Sequence, residues 1–215
     1  MGLRGIMPFM KKLILTALVF IAGSAVAQNY PKNIMGARIG FVSPWATSYG
    51  VVASPNPSFM ISFSDQVLLT KSLPFYLETG LTFIGKGYKI KGHDESSTRF
   101  NYLQIPVAVN YHIYAHKFVT IEPSAGFYYA CGLGGKRKYG GNAVSVFKDG
   151  STSRHDLGFS CGLSSSIHEY HFGIIYEMGV LNIAKTDKIY GNDNYMLGYK
   201  KLKNRSIIIK AGMNF

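Results

Sequence analysis

Acidic residues are scarce in this chain. Its 215 residues include 11 Asp and Glu against 23 Lys and Arg, which gives a formal net charge of +12. Charged residues make up only 16% of the sequence and hydrophobic residues 47%, a balance that excludes both an intrinsically disordered segment and an ordinary charged soluble domain. The positive charge accompanies 15 Tyr, 14 Phe and 24 Gly, which is untypical of a basic nucleic-acid-binding module.

Long hydrophobic runs are also missing after the N-terminus. No later stretch approaches the roughly 18–20 apolar residues that a membrane-spanning helix needs. If the mature chain crosses a membrane, it therefore crosses as a closed β-barrel.

The N-terminal residues have the features of a secretory signal peptide. An apolar core, Leu13–Ala22, follows the basic residues Arg4, Lys11 and Lys12 and precedes an A-x-A site at Ala25–Ala27. We expect a signal peptide over 1–27 and a mature barrel domain over 28–215. A short transmembrane anchor is the alternative, and Met1, Met7 or Met10 could be the true start.

Eight segments of the mature chain alternate apolar and polar residues with period two, the pattern of transmembrane β-strands. They are Ile34–Val42, Pro57–Asp65, Pro74–Gly85, Tyr102–Ile113, Phe118–Ala130, Asp156–Ile167, Tyr170–Leu181 and Arg205–Phe215. The sequence therefore predicts an all-β fold: an eight-stranded, antiparallel, up-and-down transmembrane β-barrel.

Two features favour a membrane barrel over a soluble, lipocalin-like cup. The lumen of eight strands is too narrow for the rows of Leu, Phe and Tyr, so these rows should face lipid. The connections also alternate between long loops, predicted outside, and short turns on the side of both termini. The long loops are 43–56, 86–100, 131–155 and 182–204; the short turns are 66–73, 114–117 and 168–169.

The chain resembles the PorT-like outer-membrane β-barrel proteins of Gram-negative bacteria over about residues 30–215. The resemblance depends on Tyr102–Pro106, on Glu122–Gly126 and on a last strand ending at Phe215. It implies an outer-membrane location and recognition of the terminal aromatic residue by the barrel-assembly machinery. Members are mostly of unassigned function; a namesake is linked to protein secretion, a role that nothing in this sequence supports.

Catalytic and metal sites are weakly indicated. Ser153, His155 and Asp156 could supply a nucleophile, base and orienting acid for an outer-membrane lipid hydrolase, but such residues are common at loop boundaries. Four histidines gather near the short turns with spacings that match no standard metal site: His112, His116, His168 and His171. We predict a non-enzymatic protein without cofactor or metal.

Two local details follow from strand register. A symmetric hairpin places Cys161 opposite residue 125, about 20 Å along the strand from Cys131, so we expect no disulfide and a lipid-facing Cys161. Pro106 and Pro123 each remove a ladder donor, and we expect a β-bulge at each.

The basic residues concentrate in the predicted outer loops. We expect these loops to contact anionic surface groups, above all lipopolysaccharide phosphates, through Lys136, Arg137, Lys138, Lys200, Lys201 and Lys203. A merely solvated loop surface is the alternative.

A second predicted site is a charged layer that closes the lumen. Counting up from the short turns brings Arg38, Glu78, Glu122 and Lys210 to one level, with Glu177 somewhat higher. We expect Arg38 to pair with Glu122 and Lys210 with Glu177; separate hydration of each charge is the alternative. A lipid hydrolase and a small channel or secretion-associated barrel remain alternative functions.

Overall fold

A computed structural model describes residues 30–48, 51–90, 96–139, 142–148, 150, 152–185 and 201–215. The predicted signal peptide, 1–27, lies outside these residues and stays a prediction. Among the described residues, no helix is long and apolar enough to cross a membrane.

Eight long antiparallel strands form a closed barrel, as the sequence predicts. Each strand pairs with the next long strand along the chain, and the last pairs with the first from Gly36↔Asn214 to Thr47↔Lys203. The long strands are β1 (Asn33–Ser48), β4 (Ser58–Leu68), β5 (Phe75–Ile90), β6 (Ser96–Tyr111), β8 (Val119–Tyr139), β10 (His155–Ile167), β11 (Tyr170–Gly179) and β12 (Lys203–Asn214). Four short strands flank them: β2 (Val51–Val52), β3 (Ser54–Pro55), β7 (Ile113–His116) and β9 (Asn142–Ser145).

The two faces of the strands are those predicted from the alternation. Ile39 is 65% exposed on the outer wall, whereas its neighbour Arg38 is 2% exposed in the lumen. Small polar residues such as Ser62 and Ser206 also point inward and are buried. The outer rows make a continuous apolar belt, which includes Phe41, Phe59, Phe63, Phe127, Phe159, Leu163, Phe172, Ile174 and Ile209. A soluble monomer does not expose so much contiguous apolar surface, so the belt is the lipid-facing wall of a transmembrane barrel.

Several predicted loops are strand in the structure. β5 continues to Ile90, β6 begins at Ser96, and β8 continues to Tyr139 and forms a hairpin with β9. Most of 86–100 and the first part of 131–155 are therefore hydrogen-bonded ladder. The reason is that hydrophobic alternation marks only the lipid-facing part of a strand; beyond the bilayer a strand can carry polar side chains on both faces. We call this end of the barrel the β9 end, and the end where β1 begins and β12 ends the terminal end.

The predicted bulges at Pro106 and Pro123 are wrong. β8 pairs with β10 in one register through Pro123↔Leu163. Around Pro106, the β5–β6 pairing is interrupted for two residue pairs, between Thr79↔Val107 and Thr82↔Gln104. The register is the same on both sides of the interruption. A missing donor thus removes local pairing without adding a residue. The register shift of β6 against β8 lies instead between Asn101 and Tyr102.

The cysteine prediction is confirmed. Cys161 lies opposite Ala125, Cys131 lies opposite His155, and both thiols are free. Cys161 is exposed on the outer wall.

Adjacent strands approach closely at several inward-facing glycines. A Cβ atom at Gly126 of β8 would overlap the Val107 carbonyl oxygen and the Ala108 Cα of β6, whereas one at Gly134 would meet nothing within 4 Å. We expect Gly126→Ala to lower the free energy of unfolding by about 1–3 kcal/mol, because the backbones must separate. Urea unfolding in lipid vesicles measures the change. Gly134→Ala is the matched control, and an equal effect of both substitutions would contradict the close-approach explanation.

Candidate functional site

Among the described residues, ion pairs in the lumen form two clusters of buried charged and polar side chains. The lower cluster lies toward the terminal end and includes Glu78, Glu122 and Lys210. The upper cluster lies toward the β9 end and is built around Lys86. We describe the lower cluster first.

Lys210 of β12 is the cationic partner of Glu78 in the lower cluster. Its Nζ atom lies 3.8 Å from Glu78 Oε1 across the lumen. The second oxygen of Glu78 accepts a 2.6 Å hydrogen bond from the amide of Asn110 on β6. The carboxylate therefore has an ionic partner and a hydrogen-bond donor, which offsets the desolvation of a buried charge.

Glu122 of β8 lies among two histidines and a serine. Ser166 donates a 2.5 Å hydrogen bond to Oε1, while His171 Nδ1 and His112 Nε2 lie 3.6 and 3.7 Å from Oε2. His112 also hydrogen-bonds to Gln66 Oε1 at 2.8 Å. The pattern that places these residues in the lumen is the period-two alternation, but the sequence assigned the histidines only to the short-turn rim.

Arg38 joins the two ends of the chain rather than two charges. Its guanidinium donates to the Met213 carbonyl oxygen at 2.8 Å and to Asn214 Oδ1 at 2.5 Å. No salt bridge between Arg38 and Glu122 is formed within the described part of the chain. Arg38 thus fastens β1 to β12 at the seam where the barrel closes.

The upper cluster is centred on Lys86, which is 1% exposed. Its Nζ atom lies 2.9 Å from Glu177 Oε2, 3.6 Å from Asp156 Oδ2 and 3.8 Å from the centre of the Tyr128 ring. Gln104 and Ser206 donate hydrogen bonds to the two oxygens of Glu177, at 2.6 and 3.1 Å. One ammonium group thus holds two carboxylates beside an aromatic face.

The pairing inside the lumen differs from the predicted one. The partner of Glu177 is Lys86, and the partner of Lys210 is Glu78. Lys86 was predicted to lie in the solvated outer loop 86–100 because hydrophobic alternation stops before it, and Asp156 was predicted at the outer rim, at the start of a strand. The parity of β5 was the missed signal: Tyr76, Thr82, Ile84 and Lys86 are all even-numbered, inward-facing and buried.

An apolar cluster covers the upper charges at the β9 end. Phe147, which follows β9, packs on Phe100 with ring centres 5.9 Å apart, and a Cβ atom added at Gly132 would collide with its ring. The cluster also includes Tyr102, Ala130, Val146, Ile183 and Leu202. The sequence pattern does not indicate this cluster, because its residues come from loops and strand ends that no single periodic segment connects.

The three residues of the hydrolase hypothesis do not assemble into a triad. His155 and Asp156 are neighbours on β10 and therefore point to opposite faces: His155 is exposed, while Asp156 is fully buried. His155 Nδ1 hydrogen-bonds to the Tyr129 hydroxyl at 2.6 Å, and Asp156 accepts from Asn204 at 2.9 Å. Ser153 exchanges hydrogen bonds with the backbone of His155.

The four histidines are also divided between two environments. His112 and His171 are buried in the lumen, whereas His116 and His168 contact Phe118 at the terminal rim. Within the ranges that the structure describes, no group of three or more His, Cys, Asp or Glu side chains has the geometry to hold a metal ion.

The predicted anion-binding residues occupy different surfaces of the β9 end. Lys136 and Lys138 are exposed on β8, and the intervening Arg137 turns to the other face, where its Nε lies 3.4 Å from Thr98 Oγ1. Lys201 is exposed, and Lys203 begins β12 and is half-buried. Lys200 lies outside the described residues.

Comparisons with known proteins identify the fold. No family model and no curated protein matches the chain. The solved structure of Ail, the attachment invasion locus protein of Yersinia pestis, matches this chain with a TM-score of 0.51 at 12% sequence identity. The match covers 86% of this chain and 100% of the Ail chain. The chain has the fold of a small outer-membrane β-barrel.

Two further solved structures resemble the barrel less closely. Neisserial surface protein A is 12% identical, with a TM-score of 0.49 and coverage of 84% of this chain and 97% of its own. OprG from Pseudomonas aeruginosa is 12% identical, with a TM-score of 0.44 and coverage of 88% and 99%. The predicted outer-membrane localisation agrees with the fold of the barrel and with its apolar outer wall.

The lumenal contacts lead to a test of which charges interact. We expect Lys86→Met and Glu177→Gln to lower the free energy of unfolding by about 3 kcal/mol each, because each removes the nearest ionic partner of a buried charge. In a double-mutant cycle on urea unfolding, the two should deviate from additivity by about 1 kcal/mol or more. Lys210→Met with Glu177→Gln is the control cycle and should be additive within about 0.5 kcal/mol. Additivity of the Lys86 cycle would contradict the observed pairing.

Proposed function

We propose that this protein is a non-enzymatic, integral outer-membrane barrel with a closed lumen, whose basic β9 end faces outside and binds anionic cell-surface groups. The observation that carries the proposal is the separation of charge. Among the described residues, exposed cations line the β9 end, while the carboxylates near that end, Asp156 and Glu177, are buried in the lumen.

The polar clusters and the apolar cluster support a closed lumen. Arg38, Glu78, Glu122 and Lys210 occupy its lower part, and Lys86, Asp156 and Glu177 occupy its upper part. At the β9 end, Phe147 packs on Phe100 and Tyr102, with ring centres 5.9 and 6.4 Å apart. Ions would have to pass an apolar constriction and displace paired charges, so this arrangement favours a structural barrel over the channel alternative.

A closed lumen predicts the absence of steady conductance. The refolded protein, inserted in planar bilayers, is expected to show no stable single-channel current. A variant with Phe147→Ala, Lys86→Ala and Glu177→Ala is expected to conduct, because it lacks both the apolar cover and a buried ion pair. Steady current through the unmodified protein would establish the channel alternative.

Binding of lipopolysaccharide phosphates would account for the basic β9 end. The cations Lys136, Arg137, Lys138, Lys201 and Lys203, together with Lys200, would supply charge-assisted hydrogen bonds to phosphate oxygens. A surface rich in Lys and Arg also attracts anionic groups and raises their local concentration. The outer-membrane barrel fold is compatible with such a surface.

Co-purification tests this binding directly. Lys136→Gln, Arg137→Gln and Lys138→Gln together are expected to reduce lipopolysaccharide retained through detergent extraction at low salt by about tenfold, because several charge-assisted contacts are lost. A variant with Lys32→Gln, Lys71→Gln and Lys117→Gln, which removes the same charge near the terminal end, is the control. Unchanged retention in the first variant would favour a solvated loop surface.

The structure bears differently on each of the other hypotheses drawn from the sequence. The separation of His155 from Asp156 speaks against the lipid hydrolase. Membership of the PorT-like family and recognition of Phe215 by the barrel-assembly machinery are compatible with the fold and with the position of Phe215, which pairs with Met35 at the barrel rim. No feature of the described residues supports a role in secretion.

A further inference from the structure

Four cations share one patch of the outer wall at the β9 end. The strand register places Arg99 of β6 directly opposite Lys136 of β8, and Ser97 of β6 between Lys89 of β5 and Lys138 of β8. All four cationic side chains are exposed. We call Lys89, Arg99, Lys136 and Lys138 the wall cluster.

The wall cluster brings like charges together across strands. Directly opposite residues have Cβ atoms about 4.5–5.5 Å apart, and diagonal neighbours about 7–8 Å, so both lysines of β8 lie within reach of Arg99. Like charges directly opposite each other destabilise an antiparallel pair. An anion placed between them would convert this repulsion into two or more charge-assisted contacts.

No carboxylate among the described residues neutralises the wall cluster. Glu78, Glu122, Asp156 and Glu177 point into the lumen. Asp65 and Glu169 lie at the terminal end, the latter in the turn between β10 and β11. The only described hydrogen bonds of the Arg99 guanidinium are long, at 3.5 Å to Asn56 Oδ1 and 3.4 Å to the Pro57 carbonyl oxygen. Within the described part of the chain, most of its five donors therefore remain available for a ligand.

The apolar belt begins directly below the wall cluster. Leu133, three residues from Lys136 along β8, is 55% exposed, and Ile105 of β6 is 46% exposed on the same wall. Three residues of strand span about 10 Å. A ligand bound here would meet cations at its upper end and a lipid-facing apolar surface at its lower end.

We propose that the wall cluster binds the phosphate groups of a phosphorylated glycolipid of the outer leaflet, with its acyl chains along Leu133 and Ile105. The position on the outer wall, at the upper edge of the belt, favours a membrane lipid over a soluble anion. This inference rests on the proposed function and refines it: the site is a patch of strand surface rather than the loops as a whole.

Lys148 and Lys185 provide a matched control, because both are exposed lysines at the β9 end outside the wall cluster. The full mature chain, refolded in detergent, is mixed with diphosphorylated lipid A, and binding is measured by native mass spectrometry. The wall variant is Lys136→Gln/Lys138→Gln; the control variant, Lys148→Gln/Lys185→Gln, removes the same charge from the same end of the barrel. Heat-modifiable migration on gels shows that each variant is folded.

We expect the wall variant to bind lipid A at least about tenfold more weakly, since charge-assisted contacts are lost, and the control variant to stay within about twofold. Lipid A without phosphates should bind the unmodified protein and both variants equally well. Excess inorganic phosphate should not displace diphosphorylated lipid A. Equal weakening in both variants would overturn the wall site but leave the proposed function intact. Displacement by inorganic phosphate would overturn the assignment to a lipid. Absence of lipid A binding by the unmodified protein at low salt would overturn both proposals.

Discussion

The narrowness of a closed ring of eight strands is the constraint on which the rest of this structure depends. Such a ring leaves an interior barely wide enough for the side chains that point into it. Bulky apolar residues are therefore on the outer wall, where they meet lipid. Glycines such as Gly126 lie on the inner face, where the backbones of neighbouring strands approach within the space that a Cβ atom would occupy.

The same narrowness explains how charged side chains are tolerated inside. A buried charge without a partner is expensive, and a buried pair is roughly neutral compared with apolar packing. Each lysine of the two clusters accordingly has a carboxylate partner. Lys86 pairs with Glu177 and Asp156, whereas Lys210 pairs with Glu78. Arg38 acts differently, because by donating to β12 it secures the one seam between strands that no hairpin connects. Near the other end of the same seam, Arg205 of β12 donates a long hydrogen bond, 3.5 Å, to Thr47 Oγ1 of β1.

Burial of the carboxylates also shapes the outer surface. Because Asp156 and Glu177 are used inside the lumen, they do not offset the exposed lysines and arginines at the β9 end. Among the described residues, exposed cations are therefore concentrated at the β9 end. The barrel separates charge through the alternation of its strands, since neighbouring residues such as His155 and Asp156 face opposite environments.

The sequence alone determined the fold class, the number of long strands and which face of each strand meets lipid. It did so because a strand has a side-chain period of two, so that Ile39 and Arg38 must point to opposite sides. The opposition of Cys161 and Ala125 followed from the same regularity. What the sequence could not determine was where the strands end and which side chains meet across the lumen. Hydrophobic alternation stops at the edge of the bilayer, while the ladder of β5, β6 and β8 continues beyond it, which hid the burial of Lys86. The partners of Glu177 and Lys210, and the packing of Phe147 above them, depend on the stagger of strands around the closed ring, a property of the tertiary structure that no single strand encodes.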